Sequence, residues 1–246
     1  MSNESPAAPA NSPQPEKIRS MFAKVAANYD LANSVLSFGV HHLWRKKLVT
    51  LSQAKAGDTV LDCATGTGDL AIEFKRTVGT NGQVTGTDFC EEMLRPAPAK
   101  ARSRRLNIRF EKADVMHLQY ADSSFDVVSI SFGIRNVENP LQALREMARV
   151  TKPGGRVMVL EFGQATLPLF SQIYTFYSDK ILPVLGGLVT GQKDAYEYLQ
   201  KSSSQFPCRE EFLKLMRQTE NFSSVEYESL TGGVAYIYKG VKQTLL

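Results

Sequence analysis

Apolar positions recur at three- and four-residue spacing through KIRSMFAKVAANYD and HHLWRKKLVTL, so the chain is expected to open with helices from Glu16 to about Leu51. The period then changes. DTVLDCATGTGDLAIEFKR reads as a short strand, a glycine-rich turn and a helix, and GQVTGTDFCEEMLRPAPAKAR repeats that unit. NIRFEKAD is a third strand and FDVVSISFG a fourth, whose near-continuous apolar run suits a strand covered on both faces. NPLQALREMARV is a helix and KPGGRVMVLEF a turn into a fifth strand. This alternation predicts an α/β fold with an open, doubly wound sheet. After Phe162 the rhythm breaks, and 165–205 reads as a helical, aromatic insertion. A helix from Arg209 to Gln218 follows, then FSSVEYESL and GGVAYIYKG as an antiparallel pair, which makes a seven-stranded, mostly parallel sheet. The organisation expected is a disordered tail at 1–15 and one domain at 16–246, with 16–51 as a helical cap and 165–205 as a lid.

Composition narrows the function classes. Hydrophobic residues at 43% and charged residues at 22% are those of an ordinary globular chain, and a net charge of +4 gives no reason to expect nucleic acid as a partner. The three cysteines, Cys63, Cys90 and Cys208, lie far apart, which argues against a disulfide framework or a zinc site and suits a reducing compartment. The first residues lack an apolar stretch of the signal-peptide kind, and no window is long and apolar enough to span a bilayer. A cytoplasmic protein is expected, with peripheral contact at the inner face of the cell membrane left open. His41 and His42 are adjacent and diverge on a helix, so no metal site is expected.

The chemistry concentrates at the first two strand ends. Gly66 and Gly68 in VLDCATGTGDLA stand where strand one turns into a helix, at the carboxyl edge of the sheet where ligands bind. Asp88 follows twenty residues after Gly68, a position suited to accepting from ribose hydroxyls. The run from Gly66 to Ala71 also satisfies the dinucleotide fingerprint G-x-G-x-x-A, so a nicotinamide enzyme stays open on this loop alone. Asp62 precedes the glycines, and Asp114 follows strand three, within reach of an adenine amino group.

This ordered set, with VTKPGGRVMV beyond it, resembles the class I methyltransferases that use S-adenosylmethionine. Five further segments are similar to one branch, the ubiquinone/menaquinone biosynthesis C-methyltransferases: FAKVAANYDLANSVLSFGVHHLWRKKL, VLDCATGTGDLA, SFGIRNVENPLQALREMARVTKPGGRVMVLEFG, YEYLQKSSSQFP and LTGGVAYIYKG. The resemblance implies a Rossmann-like fold and S-adenosylmethionine as cofactor. It implies cofactor contacts at Thr67, Asp88, Asp114, Val115 and Ser131, beside the Asp62, Gly66 and Gly68 candidates of the loop itself, with Thr65 standing where the family more often has glycine. The implied substrate is a demethylated polyprenyl quinol, either demethylmenaquinol or the methoxy-benzoquinol precursor of ubiquinol.

Carbon is a poor nucleophile, so methylating such a ring needs a reduced, partly ionised quinol and a positive field at its oxygen. Arg135, just past strand four, is expected to supply that field, with Asn136 beside it and Tyr29 contributed by the cap. The alternative for Arg135 is a structural one, capping a carbonyl or pairing with Glu161. The insertion carries Phe170, Ile173, Tyr174, Tyr177, Ile181 and Leu185 in one apolar stripe, suited to lid packing, a prenyl tunnel or a membrane surface. Competing readings are a methyltransferase for another small or lipid acceptor, a non-catalytic quinone-binding partner, and an NAD-dependent oxidoreductase. Transient membrane contact and a homodimer are left open as further partners.

Overall fold

The computed structural model describes residues 14–165, 177, 184 and 191–244. Three helices open it: α1 (Pro15–Val25), α2 (Tyr29–Leu36) and α3 (Val40–Ser52). Then come β1 (Thr59–Cys63), α4 (Asp69–Val78), β2 (Gln83–Asp88), α5 (Glu91–Leu94), α6 (Ala97–Ser103) and β3 (Arg109–Lys112). β4 (Phe125–Ser131), α7 (Pro140–Val150) and β5 (Thr151–Phe162) complete the parallel part. Beyond the insertion lie α8 (Lys193–Gln205), α9 (Glu210–Arg217), β6 (Phe222–Leu230) and β7 (Ala235–Lys242). The strand order is β3-β2-β1-β4-β5-β7-β6, and β7 runs antiparallel to both its neighbours. The doubly wound, seven-stranded, mostly parallel sheet read from the alternation is the one observed.

The central strands are buried on both faces, so neighbouring residues serve opposite cores. Leu61, Val128 and Val157 pack with Leu144 and Met147 of α7 and Phe212 of α9. Val60, Val127 and Met158 pack on the other side with Trp44 and Leu48 of α3 and Phe74 of α4. Thus α3 is part of the main core, whereas α1 and α2 alone stand above the strand ends as a cap. Local chemistry sets the element ends: Asn139 caps α7 by accepting from the Gln142 amide at 3.1 Å, and Pro140 occupies the first turn, where its missing N–H costs nothing. The expected turn in KPGGR is a bulge within β5, since Phe125 pairs with Thr151 and Val127 already with Arg156.

Most of the expected 1–15 tail and most of the insertion lie outside the described residues. So do Phe170, Ile173, Tyr174, Ile181 and Leu185; of the apolar stripe only Tyr177 is described.

Gly86 in β2 lets the sheet approach the loop after β1. A Cβ there would lie 2.8 Å from the Phe110 ring and 3.0 Å from Thr65 Cγ2. Gly86→Ala is therefore expected to cost about 1–3 kcal/mol by overpacking. Thermal melts should show it as a fall of about 2–4 °C per kcal/mol; an unchanged melting temperature would contradict the tight contact.

Candidate active site

The ends of β1, β2, β3 and β4 converge on one loop, residues 64–68. Gly66 and Gly68 have φ of +54° and +85°, and a Cβ on Gly68 would press at 3.0 Å on Phe110, so the turn requires residues without side chains. Two acids hold it. Asp88 accepts from the Gly66 amide and the Cys90 amide, both at 2.8 Å. Asp62 accepts from Thr65 Oγ1 at 2.6 Å and from Ser129 Oγ at 2.8 Å. Burial pushes both carboxyls up to about 6, against the opposing pull of those hydrogen bonds.

Asp114 lies next to this group because the Ala113 amide donates to the Asp88 carbonyl at 3.2 Å. Its carboxylate accepts from the Met116 amide at 2.9 Å, and Val115 beside it is buried. At the end of β4, Ser131 Oγ is buried with no hydrogen-bond partner. An orphaned hydroxyl at the carboxyl edge of a parallel sheet is a group waiting for a ligand atom.

The cap grips the loop through charge. Asp30 of α2 accepts from Thr67 Oγ1 at 2.6 Å and from Lys100 Nζ at 2.5 Å. Lys100 also pairs with Asp69 at 2.5 Å, and the other Asp69 oxygen meets Arg45 at 3.0 Å. These cations hold the Asp69 carboxyl below the usual carboxylate range even though burial opposes them. Arg45 is buried and Lys100 nearly so, and both are paired. A nitrogen of His41, a nitrogen of His42 and an Asp69 oxygen lie within 4.8 Å of one another. Since both Asp69 oxygens already face cations, a metal ion there would crowd positive charge onto positive charge.

A cavity of ≈ 400 Å³ opens between the cap, the sheet end and α8. Its lining is mostly apolar and aromatic, including Phe22, Leu36, Trp44, Phe132, Phe162 and Leu199. Tyr29, His41, Arg45, Arg135, Tyr177 and Tyr198 add polar atoms. Trp44 Nε1 donates to Thr231 Oγ1 at 3.0 Å, and the Tyr177 hydroxyl donates to the Leu36 carbonyl at 2.7 Å, which ties the insertion to α2. Phe38 also lines the cavity yet is 81% exposed, so the cavity opens at the turn between α2 and α3.

Arg135 has both structural partners weighed for it. Its Nη1 donates to the Phe132 carbonyl at 2.8 Å and to Glu161 at 2.5 Å, and the side chains of this ion pair are 5% and 1% exposed. The guanidinium also sits 5.2 Å from the centre of the Phe162 ring, a cation–π contact, while its Nε is buried with no partner. Arg135 nevertheless lines the cavity, so the structural pair and a place in the cavity wall coexist in one residue. Asn136 is one step back: its Oδ1 accepts from the Tyr198 hydroxyl at 3.1 Å, and Tyr198 lines the cavity.

The structure therefore gathers the sequence-predicted residues into two neighbouring groups. Gly66, Thr67, Gly68, Asp88, Asp114, Val115 and Ser131 surround the loop, and Arg135, Asn136 and Tyr29 lie at or beside the cavity. Asp62 departs from the expected direct contact. It is 1% exposed with both oxygens engaged, so it holds the loop from beneath. Thr67 is 4% exposed and its hydroxyl is committed to Asp30 and Lys100, which leaves its backbone to face a ligand. Asp30, His41, Arg45, Asp69, Lys100 and Tyr198 carry no role in the sequence reading. Asp30 and His41 lie within FAKVAANYDLANSVLSFGVHHLWRKKL, where only their position in that segment could have drawn attention to them.

A profile of the ubiE/COQ5 methyltransferase family matches residues 11–242. The chain is 71% identical over 230 residues to the ubiquinone/menaquinone biosynthesis C-methyltransferase UbiE of Bdellovibrio bacteriovorus, covering 94% of this chain and 97% of that protein. It is 40% identical to the demethylmenaquinone methyltransferase of Staphylococcus carnosus, covering 95% and 96% of the two chains. Among solved structures, the [4+2]-cyclase SpnF is similar with a TM-score of 0.69 at 16% identity, over 97% of this chain and 99% of that one. A SAM-dependent methyltransferase from Aquifex aeolicus matches with a TM-score of 0.58 at 19% identity, over 80% and 89%. At those identities the solved structures speak for the fold alone, and the family rests on the sequence matches. The chain belongs to the ubiE/COQ5 methyltransferase family.

Proposed function

We propose that this protein transfers a methyl group from S-adenosylmethionine to a ring carbon of a demethylated polyprenyl quinol, in the biosynthesis of menaquinone, ubiquinone or both. The observation that carries the reading is the mostly apolar cavity with Arg135 in its wall, lined also by Phe132, which follows Ser131, and by Arg45, which pairs with Asp69 next to Gly68. Its ≈ 400 Å³ falls in the range of small-molecule sites and suits a one- or two-ring head group, while the open side at Phe38 lets a long tail leave.

The residues at the loop fit the donor. Asp88 offers its remaining lone pairs to ribose hydroxyls, Asp114 and Val115 take the adenine, and Ser131 Oγ gains the partner it lacks. Gly66, Thr67 and Gly68 present backbone to the amino-acid part. When bound, the donor supplies an electrophilic methyl on a sulfonium. The chain's own work is to exclude water, aim the ring carbon and favour negative charge on the ring oxygen. Arg135 provides that field, Asn136 and Tyr198 fix its surroundings, and Tyr29 closes the cap side.

The acceptor is a lipid, and the cavity mouth suits extraction from a membrane surface. Leu31, Val35, Phe38 and Leu43 are 58%, 40%, 81% and 63% exposed on α2, α3 and the turn that joins them. No helix among the described residues is long and apolar enough to cross a membrane. A shallow surface contact through this turn is the reading these side chains support. The double variant Phe38→Asp, Leu43→Asp should float with anionic liposomes several-fold less than wild type; equal flotation would contradict contact through this turn.

Arg135→Ala should bind S-adenosylmethionine as wild type does and lose most transfer to a reduced, demethylated quinol. It should also melt lower, because an unpaired buried Glu161 costs about 3–5 kcal/mol. Adding Glu161→Gln removes the stranded charge and separates the two effects. Stability should return while turnover stays low; turnover that returns with stability would reduce Arg135 to a structural role.

A further inference from the structure

We propose that His41 is the base that takes the proton from the ring hydroxyl during methyl transfer, an assignment that rests on the quinol reading above. Its tautomer follows from hydrogen-bond arithmetic at Ser37. Ser37 Oγ lies 2.6 Å from the Asn33 carbonyl and 2.6 Å from His41 Nδ1. A hydroxyl has one hydrogen, and a carbonyl can only accept, so that hydrogen points to Asn33. The second contact must then be donated by the imidazole. His41 carries its proton on Nδ1, and Nε2 keeps a lone pair with no hydrogen-bond partner among the described residues.

The residue is 4% exposed yet lines the cavity. It is the second residue of α3, whose N-cap is Gly39 with no side-chain cap, so the helix dipole disfavours a cation there. Burial is the main cause that keeps the ring neutral, with Arg45 and the His42 ring acting in the same direction; the two rings lie tilted with centroids 3.9 Å apart, where adjacent positions on a helix are expected to diverge. Asp69 and Asp30 pull the other way and lose, so the His41 pKa falls to about 4. The remaining titratable groups of the lining are poor bases. Arg45 and Arg135 are permanent cations, and Tyr29, Tyr177 and Tyr198 are weak acids. Among the described lining residues His41 alone offers a neutral nitrogen lone pair.

A weak base that is always unprotonated suits this reaction. As the ring carbon bonds to the methyl, the C–S bond breaks and its electron pair stays on sulfur. Positive charge passes to the ring, and the ring hydroxyl becomes strongly acidic. Its O–H bond breaks, the proton moves to Nε2, and the charge lost by sulfur resides on the imidazolium. The methylated carbon then sheds its hydrogen to water as a proton, the ring regains aromaticity, and the imidazolium returns its proton to the ring oxygen. One proton leaves to solvent for each methyl transferred.

The test combines turnover with a spectroscopic measurement on protein without ligands. His41→Gln should bind S-adenosylmethionine normally, show a KM for the quinol within a few-fold of wild type, and lose kcat by about 10²–10⁴-fold. Imidazole added to His41→Ala should restore part of that rate. Nitrogen-15 NMR of wild type near neutral pH should show His41 uncharged with the proton on Nδ1. A kcat within threefold of wild type in His41→Gln, or an Nε2–H or charged His41 in the spectrum, would overturn the assignment. Wild type run beside the variants separates the two readings: no transfer by wild type to any reduced quinol overturns the acceptor reading, whereas transfer that survives in His41→Gln overturns the role of His41 only.

Discussion

Two carboxylates beneath one loop, Asp62 buried and Asp88 partly exposed at its edge, set the terms for the rest of the molecule. Asp62 and Asp88 end adjacent parallel strands, where burying a charge is costly unless hydrogen bonds return most of the lost hydration. Each acid finds donors in the loop between β1 and α4: Thr65 for Asp62 and the Gly66 amide for Asp88. The loop is thereby fixed in the one conformation that needs glycine at two positions. Its fixed shape aligns the ends of β3 and β4, and so Asp114 and Ser131, around a single concave edge. The cost of the arrangement shows in both carboxyl groups, which burial pushes up to about 6.

A second layer of electrostatics joins this edge to the cap. Asp30, Lys100, Asp69 and Arg45 alternate in sign from α2 through α6 to α4 and α3, and Thr67 of the loop hydrogen-bonds into the chain. The network ties the cap to the loop, and one of its members, Arg45, also lines the cavity beneath the cap. Aromatic rings make up much of the cavity wall, with Phe132 and Phe162 4.5 Å apart and Trp44 against both. A low dielectric there strengthens the field of Arg135 and keeps His41 uncharged. The same burial keeps His41 from gaining a proton before one is needed.

The sheet was legible because its evidence is local. Each strand is a short apolar run followed by a turn and an amphipathic helix, and the spacing from Gly68 to Asp88 is that of one βα unit. The loop residues followed from the same pattern. The partners of Arg135 were legible as alternatives, since Glu161 closes the neighbouring strand, but the sequence could not say that pairing and a place in the cavity wall coexist. What sequence left hidden depends on distant contacts. Lys100 meets Asp30 across 70 residues, and its cluster of basic neighbours reads as a solvated face. His41 gains its meaning from the hydroxyl of Ser37, in the turn before α3, and from burial under the cap, neither of which leaves a periodic signal. The helix α3 that carries it reads as part of the cap, yet Leu48 and Trp44 place it in the main core.

The central claim is that methyl transfer goes to carbon on a reduced ring. It is tested most directly by following labelled S-adenosylmethionine with short-chain demethylmenaquinol and its benzoquinol counterpart, each with and without a reductant. Label on a ring carbon only under reducing conditions is the predicted result, and the ratio between the two acceptors assigns the natural ring. Transfer that proceeds equally to the oxidised quinones, or label found on oxygen, would contradict the account.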